Sequence, residues 1–579
     1  MWAAPDRRPR RLQSTDHPLD LDRYLHPFDL RQVPSYRFDV VVVGAGAAGS
    51  VAALAAADAG ASVGLLAKAG TQESNTRYAQ GGMAAVLSSS DSFDLHAADT
   101  LRVGRELAEP SVVESVIRAG PEAVADLIRL GTEFDTTDAG QLALSREGGH
   151  TQARIVHALG DATGREIQRA VCTAVEGHPD VTVFEELFVI DVLTDGDGHV
   201  VGVLGRTGGD SGRHELVVFQ AAQVILATGG AGQVYRETTN PVIATGDGLA
   251  MGFRAGAAVR DLEFVQFHPT CLYIAGAARV LISEIVRGAG GVLRDRHGVR
   301  FMPKYHPQAE LAPRDVVSRA VSARMIATDD TNVYLDLSDV SGDPHLAFPG
   351  ISRICRYFRI DIARDPIPVR PGAHYMIGGM SVDLDGRTTA PGLWAVGECA
   401  NTGMHGANRM GSNSLLEAIV LGRRTGRAAA AAGTTAVMGG LYSVRSDERV
   451  APPGGVQLNI QDLTYSLKSM MWRQMGVERV QSGLEEARHN LDFWTRAVCE
   501  LSPPEPRSWE LINMLTFAQL ATTGALLREE SRGVHYRSDF KDERPESCVH
   551  TLCTPTLQGS RLIGAHFTPQ PLSESIPTV

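Results

Sequence analysis

Phe38-Asp39-Val40-Val41-Val42-Val43-Gly44-Ala45-Gly46-Ala47-Ala48-Gly49 is an apolar, β-branched run that stops abruptly in glycines. Four successive valines leave no polar face, so the run predicts a strand covered on both sides, as in a parallel sheet. The glycines fall at the spacing G-x-G-x-x-G. In a dinucleotide fold they permit a tight turn, admit a pyrophosphate to the backbone and bring helix and strand close together. An Ala-rich stretch over 50–59 then predicts a helix, and Ser62-Val63-Gly64-Leu65-Leu66-Ala67 a second strand. That order makes a weak motif specific. Gly44, Ala45, Gly46, Ala47, Ala48 and Gly49 are expected beneath a pyrophosphate.

The second strand departs from the pattern at its end. An acidic residue is expected there for the ribose hydroxyls, but the strand ends Ala67-Lys68. Lys68 either faces the cofactor phosphates or stands as a solvated strand end, and its residue type allows both.

Two later strands extend the same unit. Gln223-Val224-Ile225-Leu226-Ala227-Thr228-Gly229-Gly230 ends in a glycine pair, and Gly392-Leu393-Trp394-Ala395-Val396-Gly397-Glu398 comes much later. A cofactor domain over 37–261 and 376–440 is therefore split around an insertion, an α+β capping domain over 262–375 rich in His, Pro and Arg. Residues 1–36 are expected as a disordered extension; its basic start, Met1 to Arg11, leaves a transit peptide as the other reading. Pro452-Pro453-Gly454-Gly455 predicts a linker, and helical patterning over 461–532 a C-terminal helical domain at 455–579. The fold class is α/β: a Rossmann-like domain split by an α+β cap, followed by a helical domain.

Composition narrows the function. A net charge of -12 over 579 residues, with no long basic run, argues against nucleic acid as a partner. No run of about 18 apolar residues predicts a membrane span. Seven scattered cysteines, odd in number and never in a Cys-x-x-Cys pair, predict free thiols in the cytoplasm and no metal site.

Four further blocks carry a resemblance: Asn75-Thr76-Arg77-Tyr78-Ala79-Gln80-Gly81-Gly82, Glu263-Phe264-Val265-Gln266-Phe267-His268-Pro269-Thr270, Leu311-Ala312-Pro313-Arg314-Asp315, and His405-Gly406-Ala407-Asn408-Arg409-Met410-Gly411-Ser412-Asn413-Ser414-Leu415. Together they resemble the succinate dehydrogenase and fumarate reductase flavoprotein superfamily, and within it the L-aspartate oxidases. The likeness runs from about 38 to 543. It implies FAD, with Asn75, Thr76, Arg77, Tyr78, Ala79, Gln80, Gly81 and Gly82 around the phosphate and isoalloxazine, Asp247 and Glu398 accepting from adenosine or ribityl hydroxyls, and Ser414 and Leu415 donating amides to the pyrimidine edge. Relatives often link the flavin covalently to a His at the position of Asn75; Asn cannot form that link, so FAD is expected to be noncovalent.

For the substrate, the resemblance implies that His268, Ser283, His374 and Arg409 bind two carboxylates. It also implies that Arg314 moves the proton, with Glu284 and Arg287 as its relay; the other reading has Arg314 only pair with a substrate carboxylate. Family members commonly read Arg-Gly-Glu-Gly where this chain has Arg287-Gly288-Ala289-Gly290.

Glu147, in Ser145-Arg146-Glu147-Gly148-Gly149-His150, separates the substrates. A carboxylate facing succinate or fumarate would repel a dianion, whereas aspartate brings an ammonium to meet it. The other reading pairs Glu147 with Arg146 or Arg154 at the surface. The resemblance thus implies oxidation of L-aspartate to iminoaspartate at the head of NAD biosynthesis, with O2 or fumarate as electron acceptor and quinolinate synthase receiving the product. The alternative is a succinate dehydrogenase or fumarate reductase flavoprotein subunit.

Overall fold

The computed structural model describes residues 10–29, 31–208, 215–276, 279–433, 443–444 and 458–572. The predicted linker at Pro452-Pro453-Gly454-Gly455 lies outside the described residues.

Val40–Val43 is the middle strand of a five-stranded parallel sheet in the order Leu393–Ala395, Gln223–Leu226, Val40–Val43, Val63–Leu66, Val181–Phe184. All four valines are buried. Helix Ala47–Asp58 follows the glycine turn and packs against helix Asn413–Ala431, which arrives from the far side of the insertion. Small residues allow that approach: a Cβ on Gly422 or Gly426 would meet the carbonyl of Ala48 or Ala52 at 2.7 or 2.1 Å. The two halves of the split unit are therefore joined through backbone contact, not through bulky side chains.

Between them lies a four-stranded sheet, Val265–Leu272, Ile367–Met376, Val333–Asp336 and Val292–Arg294, antiparallel throughout. Helices Glu284–Gly288, Arg314–Thr328 and Pro349–Tyr357 accompany it over a separate core that includes Phe301, Val321 and Ile351.

The C-terminal part begins with helices Ile460–Gln474, Gln481–Leu501 and Pro506–Leu527. Every residue of the last from Ser508 to Leu526 is buried except Glu510, so it runs through the protein and not along its surface. The chain does not stay helical. Strands His550–Gln558 and Arg561–Gln570 form a hairpin, and the end of the expected helical domain is thus a β element.

The first segment also differs from expectation. Thr15–Asp22 pairs antiparallel with Arg561–Gln570, and Ser35–Arg37 extends another sheet beside Leu216–Gln220. In Thr15–Asp22 the inward residues are His17, Leu19 and Leu21, an alternation that buries one face of the strand. Partner strands far along the chain supply that order, which local composition does not reveal. Among the described residues no helix is long and apolar enough to cross a membrane.

Candidate active site

A cavity of about 230 Å³, partly open to solvent, runs from the glycine turn to the capping sheet. It is lined by Gly44 to Ala48, Lys68, Asn75, Thr76, Tyr78 to Gly82, Asp247, Glu398, Ser414 and Leu415, and at its other end by Glu147, His268, Ser283, Glu284, Arg314, His374 and Arg409. Three expected residues do not line it. Gly49 serves packing, since a Cβ there would lie 1.9 Å from the Gly44 carbonyl oxygen. Arg77 is exposed. Arg287 lies behind Glu284.

The cofactor end fits a flavin dinucleotide on its own chemistry. Gly44 has φ +112°, and a Cβ on it would strike the Ala227 carbonyl at 2.3 Å, so strand and turn meet without side chains. Gly46 caps helix Ala47–Asp58 without a side-chain bond, which leaves the helix N-terminus facing the cavity. Asn75 donates from Nδ2 to Glu398 Oε2 at 2.8 Å, and the Met376 amide donates to Glu398 Oε1 at 3.0 Å. Withdrawal from water nevertheless holds the Glu398 carboxyl above its usual range.

At the other end Arg314 and Arg409, with Arg287 behind, stand against the carboxylates of Glu147 and Glu284. Arg314 opens helix Arg314–Thr328, with Pro313 setting the turn before it. Its Nε donates to Glu284 Oε2 at 2.7 Å, and Arg287 stands 3.6 Å from Glu284 Oε1. Burial pushes the Glu284 carboxyl up, but Arg314 and Arg287 outweigh it and hold it below the usual range. Arg409 donates to Gln266 Oε1 at 3.1 Å and lies 4.5 Å from the centre of the Tyr375 ring, while its buried Nε has no hydrogen-bond partner among the described residues. Burial and the neighbouring Arg314 push Arg409 down to about 10.

His268 and His374 stand with ring centres 5.3 Å apart. Burial, then Arg314, His374, Arg287 and Arg409, hold His268 well below its usual value, so it is neutral at pH 7. Its Nδ1 accepts the Thr270 amide at 3.3 Å, which leaves the proton on Nε2 as a donor. His374 is likewise lowered, by withdrawal from water and by Arg409 and Arg314, and its Nδ1 pairs with Thr239 Oγ1 at 3.0 Å.

Glu147 is buried, and Ser412 Oγ donates to its Oε2 at 2.6 Å. The surface pairing does not form. Arg146 is exposed, and the guanidinium of Arg154 is engaged by Asp91 and Asp99, each at 2.8 Å. Gly148, next to Glu147, makes room for a neighbour: a Cβ there would sit 2.1 Å from Glu284 Oε1. Ala289, where family members commonly have Glu, is exposed and away from the cavity.

Known proteins match this arrangement. A family model described as FAD binding domain covers residues 39–415, and one described as fumarate reductase flavoprotein C-term covers 464–568. An L-aspartate oxidase from Streptomyces coelicolor is 42% identical over 558 residues, 93% of this chain and 95% of that protein. One from Mycobacterium tuberculosis is 44% identical over 515 residues, covering 88% and 93%. The chain belongs to the L-aspartate oxidase family. FAD is the cofactor of this flavin-dependent oxidoreductase family. The wider superfamily is visible in solved structures: E. coli quinol fumarate reductase FrdA, in a mutant form, superposes with a TM-score of 0.84 at 31% identity over 94% of this chain and 99% of that one. Mycobacterium smegmatis Sdh1 gives 0.79 at 31% identity over 94% and 95%.

Two residues of this L-aspartate oxidase site were in quoted motifs without a role. Gln266 accepts from both Arg314 (3.3 Å) and Arg409 (3.1 Å), and it lies two residues before His268 on one strand, a spacing that placed both on one face. Ser412 sits in the left-handed region at φ 62° immediately before helix Asn413–Ala431, and its sequence context carried no sign of the bond to Glu147.

Proposed function

We propose that this chain oxidises L-aspartate to iminoaspartate with noncovalently bound FAD, at the head of NAD biosynthesis through quinolinate. The observation that carries the choice of substrate is Glu147, a carboxylate in the same cavity as Arg314 and Arg409 that accepts from Ser412 and, among the described residues, forms no arginine ion pair. A dicarboxylate with an ammonium at its middle satisfies both charges at once.

Arg409, His268, His374 and Ser283 bind the two carboxylates, Arg409 through the guanidinium edge whose Nε has no hydrogen-bond partner among the described residues. Glu147 holds the ammonium and so fixes which face of the substrate meets the flavin. The glycine turn and residues 75–82 would hold FAD, which when bound would supply a two-electron acceptor for the hydride. Aspartate loses that hydride and one proton. Arg314 is placed to take the proton, and Glu284 carries it toward Arg287; an arginine serves here only because Glu284 is held against it in a desolvated relay. In the second half-reaction O2, or fumarate in its absence, takes the electrons, with Arg314 returning a proton to the carbon of fumarate. The unstable imine passes to quinolinate synthase. The scattered cysteines, none in a Cys-x-x-Cys pair, support a cytoplasmic setting.

Anaerobic mixing with aspartate or succinate tests the reading. Aspartate should bleach the flavin quickly and succinate hardly at all; equal bleaching would favour a succinate-oxidising flavoprotein. Deuterium at C2 against C3 of aspartate shows which hydrogen leaves as hydride.

A further inference from the structure

The end of the second strand poses a problem that the C-terminal helix answers. Lys68 occupies the position from which a dinucleotide fold normally offers a carboxylate to the ribose. Its ammonium has three hydrogens. Three short contacts take them: Thr245 Oγ1 at 2.8 Å, Asp247 Oδ2 at 2.8 Å and Glu510 Oε1 at 2.6 Å. Lys68 is therefore committed to the chain, and the group it presents toward the cavity is the Asp247 carboxylate. Asp247 Oδ1 accepts from Asn513 Nδ2 at 2.8 Å, and Asn513 is itself fixed because its Oδ1 accepts from Arg254 at 2.8 Å. Glu510 and Asn513 lie three residues apart on helix Pro506–Leu527, one turn of one face. Neither lines the cavity, and both lie beyond the segment that matches the FAD binding family.

We propose that Glu510 and Asn513 are positioning residues for the adenosine half of FAD: through Lys68 and directly, they clamp Asp247 in the orientation that accepts the ribose hydroxyls. The acidic function missing from the second strand is restored by a carboxylate from elsewhere, held from two sides by the C-terminal helix. Docking of that helix and retention of FAD are then thermodynamically linked, since each favours the same arrangement of Asp247.

Apoprotein titrated with FAD, with FMN, which lacks the adenosine half, and with ADP, which lacks the isoalloxazine, tests this by flavin fluorescence and by competition. Glu510→Gln and Asn513→Ala should each weaken FAD and ADP about tenfold, the size of one charge-assisted or buried hydrogen bond, and leave FMN within about twofold. Glu510→Asp should recover part of the FAD affinity. Equal weakening of FAD and FMN would overturn the proposal, because it would mean general loosening of the fold. Tighter FAD binding in Glu510→Gln would also overturn it, by showing that Glu510 competes with the phosphates for Lys68. Asn513→Ala leaves a buried Arg254 donor unpaired and risks poor folding; Glu510 is partly exposed, and its variant decides alone. None of these titrations involves aspartate, so their failure is separable from failure of the oxidase reading.

Discussion

His268 in the cavity is 1% exposed, and His550 on the C-terminal hairpin is 0% exposed. Equal burial leads to opposite shifts. His268 faces Arg314, Arg287 and Arg409 and is driven well below its usual value. His550 is pressed between Asp261 Oδ2 at 2.6 Å and Glu109 Oε1 at 3.2 Å; burial lowers it, but the carboxylates win and raise it above its usual value. Asp261 in turn is pulled down to about 2. The junction at the hairpin contains its own counter-ions and is complete without a ligand. One end of the cavity sets Arg314 and Arg409, with Arg287 behind them, and two neutral imidazoles against Glu147 and Glu284, an excess of one positive charge that suits a ligand with two carboxylates and one ammonium.

The most severe way to break the cavity is Arg314→Leu. Loss of proton transfer should lower turnover by about a thousandfold or more while the bound flavin keeps its spectrum, measured by steady-state assay and absorbance. Retained turnover would remove Arg314 from the chemistry. The matching break at the junction is His550→Gln, which leaves two buried carboxylates without their cation and should cost about 3 kcal/mol in urea unfolding at pH 6. The sign of its pH dependence follows from the raised value. His550 contributes fully below about 6.5, its unfolded value, and the contribution fades as pH rises through the higher folded value, so wild type and variant should converge in alkali.

Glu147→Gln sharpens the contrast within the cavity. Losing the ammonium's charged partner should lower kcat/KM for aspartate about thirtyfold and leave fumarate reduction within about threefold. Equal losses would contradict the ammonium role. The smallest effect is protonic. His268 and His374 are neutral in the ligand-free protein, and a dianion placed against them raises their values, so binding takes up protons and succinate should bind about two- to threefold more tightly per pH unit of acidification below 7. Calorimetry in buffers of different ionisation enthalpy reads the uptake, and a pH-independent affinity would show that the imidazoles do not meet the carboxylates.

What was legible in the chain follows how local each signal is. The valine run, its glycines and the helix after them are consecutive, and short-range sterics determine their geometry; the sheet built on Val40–Val43 followed from them. The motifs around His268, Arg314 and Arg409 identified the end of the cavity because each block brings its own side chains. Relations between distant segments were hidden. Ser412 meets Glu147, and Asn513 meets Asp247, across more than 260 residues of chain. Thr15–Asp22 has too few apolar residues to predict a strand until its partner is known. Gly148 makes room for Glu284, a relation across more than 130 residues that its adjacency to Glu147 does not reveal.

The pairing of Thr15–Asp22 with Arg561–Gln570 also bears on how the protein comes into being. Asp16 and His566 meet at 2.7 Å although 550 positions separate them. During synthesis the early strand emerges with an unsatisfied hydrogen-bonding edge and must wait until almost the whole polypeptide has left the ribosome. Closing so large a loop is entropically tolerable, since the cost grows only with the logarithm of its length. The waiting is the greater hazard, and a nascent chain stalled before residue 561 would leave its first strand open to pairing with another molecule.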